Sequence, residues 1–156
     1  VRLDRYWNTV ILVMILGVSM GVLLVCYKNN LNFVMIPVET AEVRLDYYQN
    51  TLILLMILGV SMAVRLVCYY NTIFVAMIPV DSVVVMLFCS WNNLIFVRIL
   101  GDSVVVMLFC YENNIILAMI LGDSVVLMLF CYENTLILVR IRGDSMEVRL
   151  VGYKNN

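Results

Sequence analysis

Histidine is absent from the 156 residues, and with it go the commonest general base near neutral pH and the commonest transition-metal ligand. Charge is sparse as well. Ten basic against eleven acidic side chains, 13% of the chain, leave no field able to gather nucleic acid, anionic lipid or a highly charged substrate. Five cysteines are present without a CxxC pair, which removes the simplest dithiol or zinc signature. No basic segment followed by a short apolar stretch and a cleavage site opens the chain, so no signal peptide is visible, and residue 1 is Val rather than Met. The expectation is a processed or excerpted chain that does not state its compartment.

What the chain has in excess is apolar surface: 64% of its residues are hydrophobic, against roughly 45 to 50% in soluble globular domains. A strict repeat organises that excess. Ser19, Thr40, Ser61, Ser82, Ser103, Ser124 and Ser145 fall at intervals of 21 residues without an insertion or deletion. With that position as column zero, Val or Leu recurs at column three and Leu at column five, from Val22 and Leu24 to Val148 and Leu150. Tyr dominates column eight from Tyr6 to Tyr153, Asn fills column ten from Asn8 to Asn155, and Ile fills column seventeen from Ile15 to Ile141. Residues 1–156 read as a single repeat domain of about seven and a half units without recognisable caps.

Each unit holds two apolar runs, as in Val104 to Tyr111 and Ile115 to Leu121, bounded by Glu-Asn-Asn and Gly-Asp-Ser. Their Val, Ile, Phe and Tyr content, their length and their turn-forming ends predict two strands and two tight corners per unit. Residues 9–27 are long and apolar enough to suggest a membrane helix, but Gly17-Val18-Ser19 interrupts the centre of that stretch. The few polar residues around each Asn pair are also too short a link between helical spans.

The polar units reveal which face is buried. Thr40, Glu42, Arg44, Asp46 and Tyr48 alternate with Ala41, Val43, Leu45 and Tyr47, and Ser145, Glu147 and Arg149 alternate with Met146, Val148 and Leu150. Odd columns therefore face a core and even columns face outward, with Arg98, Arg140 and Arg142 outward on the second strand and Asn32 an exception within an otherwise apolar column thirteen. In three consecutive units the outward face of the first strand is itself apolar: Val84, Met86 and Phe88; Val105, Met107 and Phe109; Val126, Met128 and Phe130. Covering about 400 Å2 of such surface favours contact by about 10 kcal/mol before entropy costs, so these nine residues are the expected assembly face.

A fixed period with constant columns predicts an all-β fold, a β-solenoid with two strands per rung, in which Asn71, Asn92, Asn113 and Asn134, and likewise Ser82, Ser103 and Ser124, form ladders about 4.8 Å apart. A β-meander and a membrane β-barrel are the alternatives. A barrel alternates a lipid-facing with a polar lumen face, which the middle units do not. Cys26, Cys68, Cys89, Cys110 and Cys131 share column seven, a core column, and read as buried free thiols, with a Cys89 to Cys110 bond as the minor alternative. Asp81, Asp102, Asp123 and Asp144 would stack at a corner, but the calcium nonapeptide is missing and neither a metal nor a cofactor is expected.

The Ser-to-Asn spacing of eleven in Ser19 and Asn30, Ser82 and Asn93, and Ser103 and Asn114 resembles that of curlin, the subunit of bacterial curli fibres. The columns of curlin glutamines are held here by Val25, Asp46, Val67, Phe88, Phe109 and Phe130, and its repeat glycine is absent. The resemblance implies a stacked functional amyloid and an extracellular or cell-surface fibre. The function expected from the residues is structural: a self-assembling subunit whose partners are other copies of itself, end to end and through the apolar sheet face. Lipid contact, a pore and a flat-surface binding module are the rivals. Catalysis is not expected, because Gly-Asp-Ser recurs in unit after unit and brings neither a separate base nor an oxyanion site, and Glu42, Arg44 and Asp46 need form only solvated cross-strand pairs.

Overall fold

A computed structural model describes residues 1–7, 10–28 and 30–152, with side chains for all of these except 5–7. Asn8, Asn29 and Asn155 of the Asn column, Tyr153, and the side chain of Tyr6 lie outside the described residues.

Two-residue alternation and a repeat of 21 are incompatible unless something slips. An odd period would turn each column to the opposite face in the next unit, so equivalent residues share a face only if alternation breaks once per repeat. The break lies at the Asp-Ser corner, where two consecutive residues point outward: Glu39 and Thr40, Asp81 and Ser82, Asp102 and Ser103, Asp123 and Ser124 are all exposed. The other corner is made by column ten. Asn50, Asn71, Asn92, Asn113 and Asn134 have φ between 47° and 53°, the left-handed region that Asn tolerates better than other residues carrying a Cβ.

Between the corners the chain forms β1 (Arg2–Trp7), β2 (Val10–Met14), β3 (Gly17–Lys28), β4 (Leu31–Gln49), β5 (Leu52–Tyr70), β6 (Ile73–Trp91), β7 (Leu94–Leu100), β8 (Ser103–Glu112), β9 (Ile115–Leu121), β10 (Ser124–Cys131), β11 (Leu136–Arg142) and β12 (Ser145–Gly152). β4, β5 and β6 run through the Asp-Ser corner and contribute to both layers. Rung 1 holds β1 and β2. Rung 2 holds β3 and the start of β4, and so on to rung 7, β10 and β11; β12 opens rung 8.

Every pairing recorded between these strands is parallel and offset by one repeat, as in Val104 with Val125 and Val83, or Ile116 with Ile95 and Ile137. The fold is an all-β solenoid. Meander and barrel are both overturned, since they join neighbouring strands antiparallel, and the sheet runs open from β1 to β11 and β12. Backbone bonds continue through the corners, from Ser124 N to Asp102 O at 2.8 Å and from Asn71 N to Trp91 O at 3.1 Å.

The odd columns of both layers meet in one core. Val43, Leu45, Leu66, Leu87 and Leu108 from the first layer and Ile36, Ile57, Ile78, Ile99 and Ile120 from the second are buried. A lone rung would leave both its edges in water, so burial of this stripe is a property of the stack. Column nineteen sets how closely rungs approach. A Cβ on Gly59, Gly101, Gly122 or Gly143 would strike the backbone oxygen of Val38, Val80, Gly101 or Gly122 in the rung before, whereas Gly21 faces open space. Gly101→Ala is expected to cost about 1–3 kcal/mol, and Gly21→Ala nothing comparable, when the two variants are compared by urea denaturation.

Candidate functional site

The assembly face expected from the sequence is assembled in register. Val84, Val105 and Val126 align, as do Met86, Met107 and Met128. Phe88, Phe109 and Phe130 stack with ring centroids 4.7 Å apart and interplanar angles of 4° and 2°. Charge frames the patch. Arg65 lies over the Phe88 ring at 5.3 Å on one side, and Glu147 and Arg149 lie on the rung beyond Val126 and Met128 on the other. The Tyr column forms a second aromatic run, with Tyr27, Tyr48 and Tyr69 stacked at 4.8 Å.

A larger apolar surface lies on the opposite side and was not recognised in the sequence. Columns twelve, fourteen, sixteen and eighteen of the second layer face outward, and Arg98, Arg140 and Arg142 are their only charged residues. Leu31, Leu52, Ile73, Leu94, Ile115 and Leu136 run down column twelve, all exposed. At about 4.8 Å per rung and 3.3 Å per residue, seven rungs of seven residues each present about 780 Å2, against about 240 Å2 for the three rungs by five residues of the Val-Met-Phe patch. The former exceeds the roughly 300–600 Å2 of the largest patch on a typical monomer. Phe96, Leu117, Met119, Leu138 and Arg140 surround a shallow depression of about 280 Å3 on it.

The two ladders differ from each other. Ser82, Ser103 and Ser124 align at the exposed corner, and within column ten Asn71 Nδ2 donates to Asn50 Oδ1 at 3.1 Å. The buried amide ladder is one column further on. Asn93 N and Nδ2 both donate to Asn114 Oδ1, at 3.0 and 3.1 Å, Thr72 N donates to Asn93 Oδ1 at 3.0 Å, and Asn114 Nδ2 donates to Ser90 O at 3.2 Å. The reason lies in the left-handed residue before it. That residue turns the next N–H toward the core, where an unmet donor costs about 1–3 kcal/mol, and an amide from the following rung accepts it. The Asn of the curlin-like spacing is thus the buried one.

Two core positions break the pattern. Tyr47 takes the place of Cys in column seven and Asn32 that of Ile in column thirteen; both are buried, and among the described residues Tyr47 Oη and Asn32 Nδ2 have no hydrogen-bond partner. The Cys26 thiol donates to Asn32 Oδ1 at 3.8 Å. Burial pushes the Tyr47 hydroxyl well above its ordinary value. Polar groups so placed cost stability without return, and Asn32→Ile, the residue found in rungs 1, 3, 5, 6 and 7, is expected to raise stability by about 1–3 kcal/mol in the same denaturation assay.

The expected cross-strand pairing of the charged unit is corrected. Arg44 Nε binds Asp46 Oδ2 at 3.1 Å along one strand, two residues apart, as Arg2 binds Asp4 at 3.0 Å and Arg149 binds Glu147 at 2.6 Å. Adjacent rungs offer these residues no opposite charge: Arg44 aligns with Leu23 and Arg65, and Asp46 with Val25 and Val67. Among the described residues no group of three or more Cys, Asp or Glu is placed to hold a metal ion, Asp81, Asp102, Asp123 and Asp144 included.

All five cysteines are free thiols, with Cys26, Cys68, Cys89 and Cys110 buried and Cys131 partly so. Burial pushes the Cys68 thiol far above its ordinary value of 9.0, and a hydrogen bond to Cys110 followed by burial does the same to Cys131. The folded chain keeps these protons while the unfolded chain releases them near the ordinary value of 9.0. Their contribution to stability is therefore complete below that pH and falls as the pH rises through it. A thiol reagent is expected to label Cys131 first and the other four only on unfolding, and the denaturation midpoint should drop above about pH 9.

Comparison of the chain with protein-family models, with curated proteins and with solved structures finds no match.

Proposed function

We propose that the chain is a structural, self-assembling subunit of a β-rich fibre or matrix, without catalytic function. One observation carries this reading. Each rung receives the rung before it through a parallel, in-register edge and presents the same edge to the next. A surface of this kind is complementary to a copy of itself, and a stack that stops anywhere leaves unpaired N–H and C=O groups.

Axial stacking of copies would continue the aliphatic core and the aromatic columns. Val84, Met86, Phe88 and their equivalents would serve as a lateral contact, because three stacked Phe rings lose little conformational freedom on being covered. An extracellular or cell-surface matrix belongs to this reading through the curlin-like spacing. Purified chain imaged over a concentration series is expected to form filaments whose diffraction carries a meridional spacing of about 4.8 Å. Closed monodisperse particles at every concentration would overturn the proposal.

A further inference from the structure

Among the described residues nothing covers the large outward face of the second layer, and its area, charge pattern and shape together specify a partner. Two copies of a footprint of about 780 Å2 bury about 1,600 Å2, the size of a standard stable protein interface. The Val-Met-Phe patch, at less than half that footprint, falls short. Identical faces also share one rung spacing, so that ridges of one can settle between ridges of the other along the whole stack, which a fluid lipid surface cannot match.

We infer that two chains pair through their second-layer faces about a two-fold axis parallel to the strands, with stacks antiparallel, so that rung n lies against rung 8 − n of the partner. Charge selects this orientation. With stacks parallel, Arg98 would meet its own counterpart on the same rung, and Arg140 and Arg142 would bring four guanidinium groups together on rung 7. With stacks antiparallel, Arg98 lies over rung 3 at Met56, and Arg140 and Arg142 lie over rung 1 at Met14 and Leu16. The partner's Glu39, exposed at the corner of rung 2, is then one rung from Arg142.

Shape selects the same arrangement. The depression lies over Ala118 and Val139 at column fifteen of rungs 6 and 7, walled by Phe96, Leu117 and Leu138 at column fourteen and by Met119 and Arg140 at column sixteen. In the antiparallel pair the partner's Phe33, at column fourteen of rung 2, lies over the Leu117 wall of this depression; it is 38% exposed and the largest side chain on the first four rungs of that face. The two-fold repeats this contact, setting two aromatic anchors at the edges of two hollows. Buried aromatic anchors of this kind dominate interface energetics.

This lateral pair is additional to the axial stacking proposed above and fails separately from it. The test uses the full chain at concentrations below filament formation. Sedimentation is expected to show a dimer for the wild type and for Phe109→Lys, and a monomer for Val75→Lys. Val75 faces outward at the centre of the second layer, and a buried lysine there should raise the dissociation constant at least about a hundredfold while leaving the β circular dichroism intact. A short bismaleimide should couple Phe33→Cys chains to Leu117→Cys chains in a mixture and couple neither variant to itself beyond the wild-type background. A monomeric wild type, dissociation by Phe109→Lys instead of Val75→Lys, self-coupling of either cysteine variant, or a monomer that floats with phosphatidylcholine vesicles would each overturn the pairing.

Discussion

An odd repeat length imposed on a chain whose side chains alternate every two residues admits few outcomes. Identical columns can share a face only if each unit spends one residue on a break in alternation. Here two consecutive outward residues at the Asp-Ser corner supply it, and the left-handed Asn of column ten folds the second strand back over the same core. Once both corners recur at fixed intervals, parallel in-register pairing is the arrangement that stacks every Leu of column five on its neighbour and every Ile of column seventeen on its own. Glycine at Gly59, Gly101, Gly122 and Gly143 lets the backbone of the rung before approach closely, where Val38 and Val80 stand in the same column of other rungs, and the Asn-Thr column absorbs the N–H that the kink turns inward.

Much of this was legible in the residues because repetition averages away local ambiguity. The charged unit around Glu42, Arg44 and Asp46 exposed the alternation, and seven copies of the pattern then assigned the buried columns of apolar units that would have been silent alone. The cysteines were legible for the same reason, since their shared column is a core column. Column ten carries an exposed bond from Asn71 to Asn50, and a second, buried amide ladder lies one column further on. Invariance drew attention to Asn71, Asn92 and Asn113, whose constancy reflects backbone conformation, while the mixed Asn and Thr column beside them carries the buried hydrogen bonds. The second layer's outer face was overlooked because Arg98, Arg140 and Arg142 marked it as the side that tolerates charge. All three lie on rungs 5 and 7, and the first four rungs are apolar at every outward position.

Fold and function are linked through what the stack leaves exposed. A rung hides its core only against other rungs, so the chain's stability comes from the same edge that the proposed axial stacking would use. Its sides present two apolar surfaces of unequal size, with the smaller one framed by Arg65, Glu147 and Arg149 and the larger one nearly free of charge. Asn32 and Tyr47 show that the interior tolerates faults, because the rungs on either side hold the aliphatic stripe in place. A β-solenoid of this kind is consistent with the curlin-like spacing of Ser and Asn, and the side chains on its faces are its own.

The central claim is that equivalent residues of successive units lie directly above one another. Spin labels on cysteines introduced at Val84 and Val126, two rungs apart on the outward face, measure it directly. In-register stacking predicts a separation of about 10 Å between the labelled sites. A separation above about 20 Å, as two-residue alternation without parallel stacking would give, contradicts it.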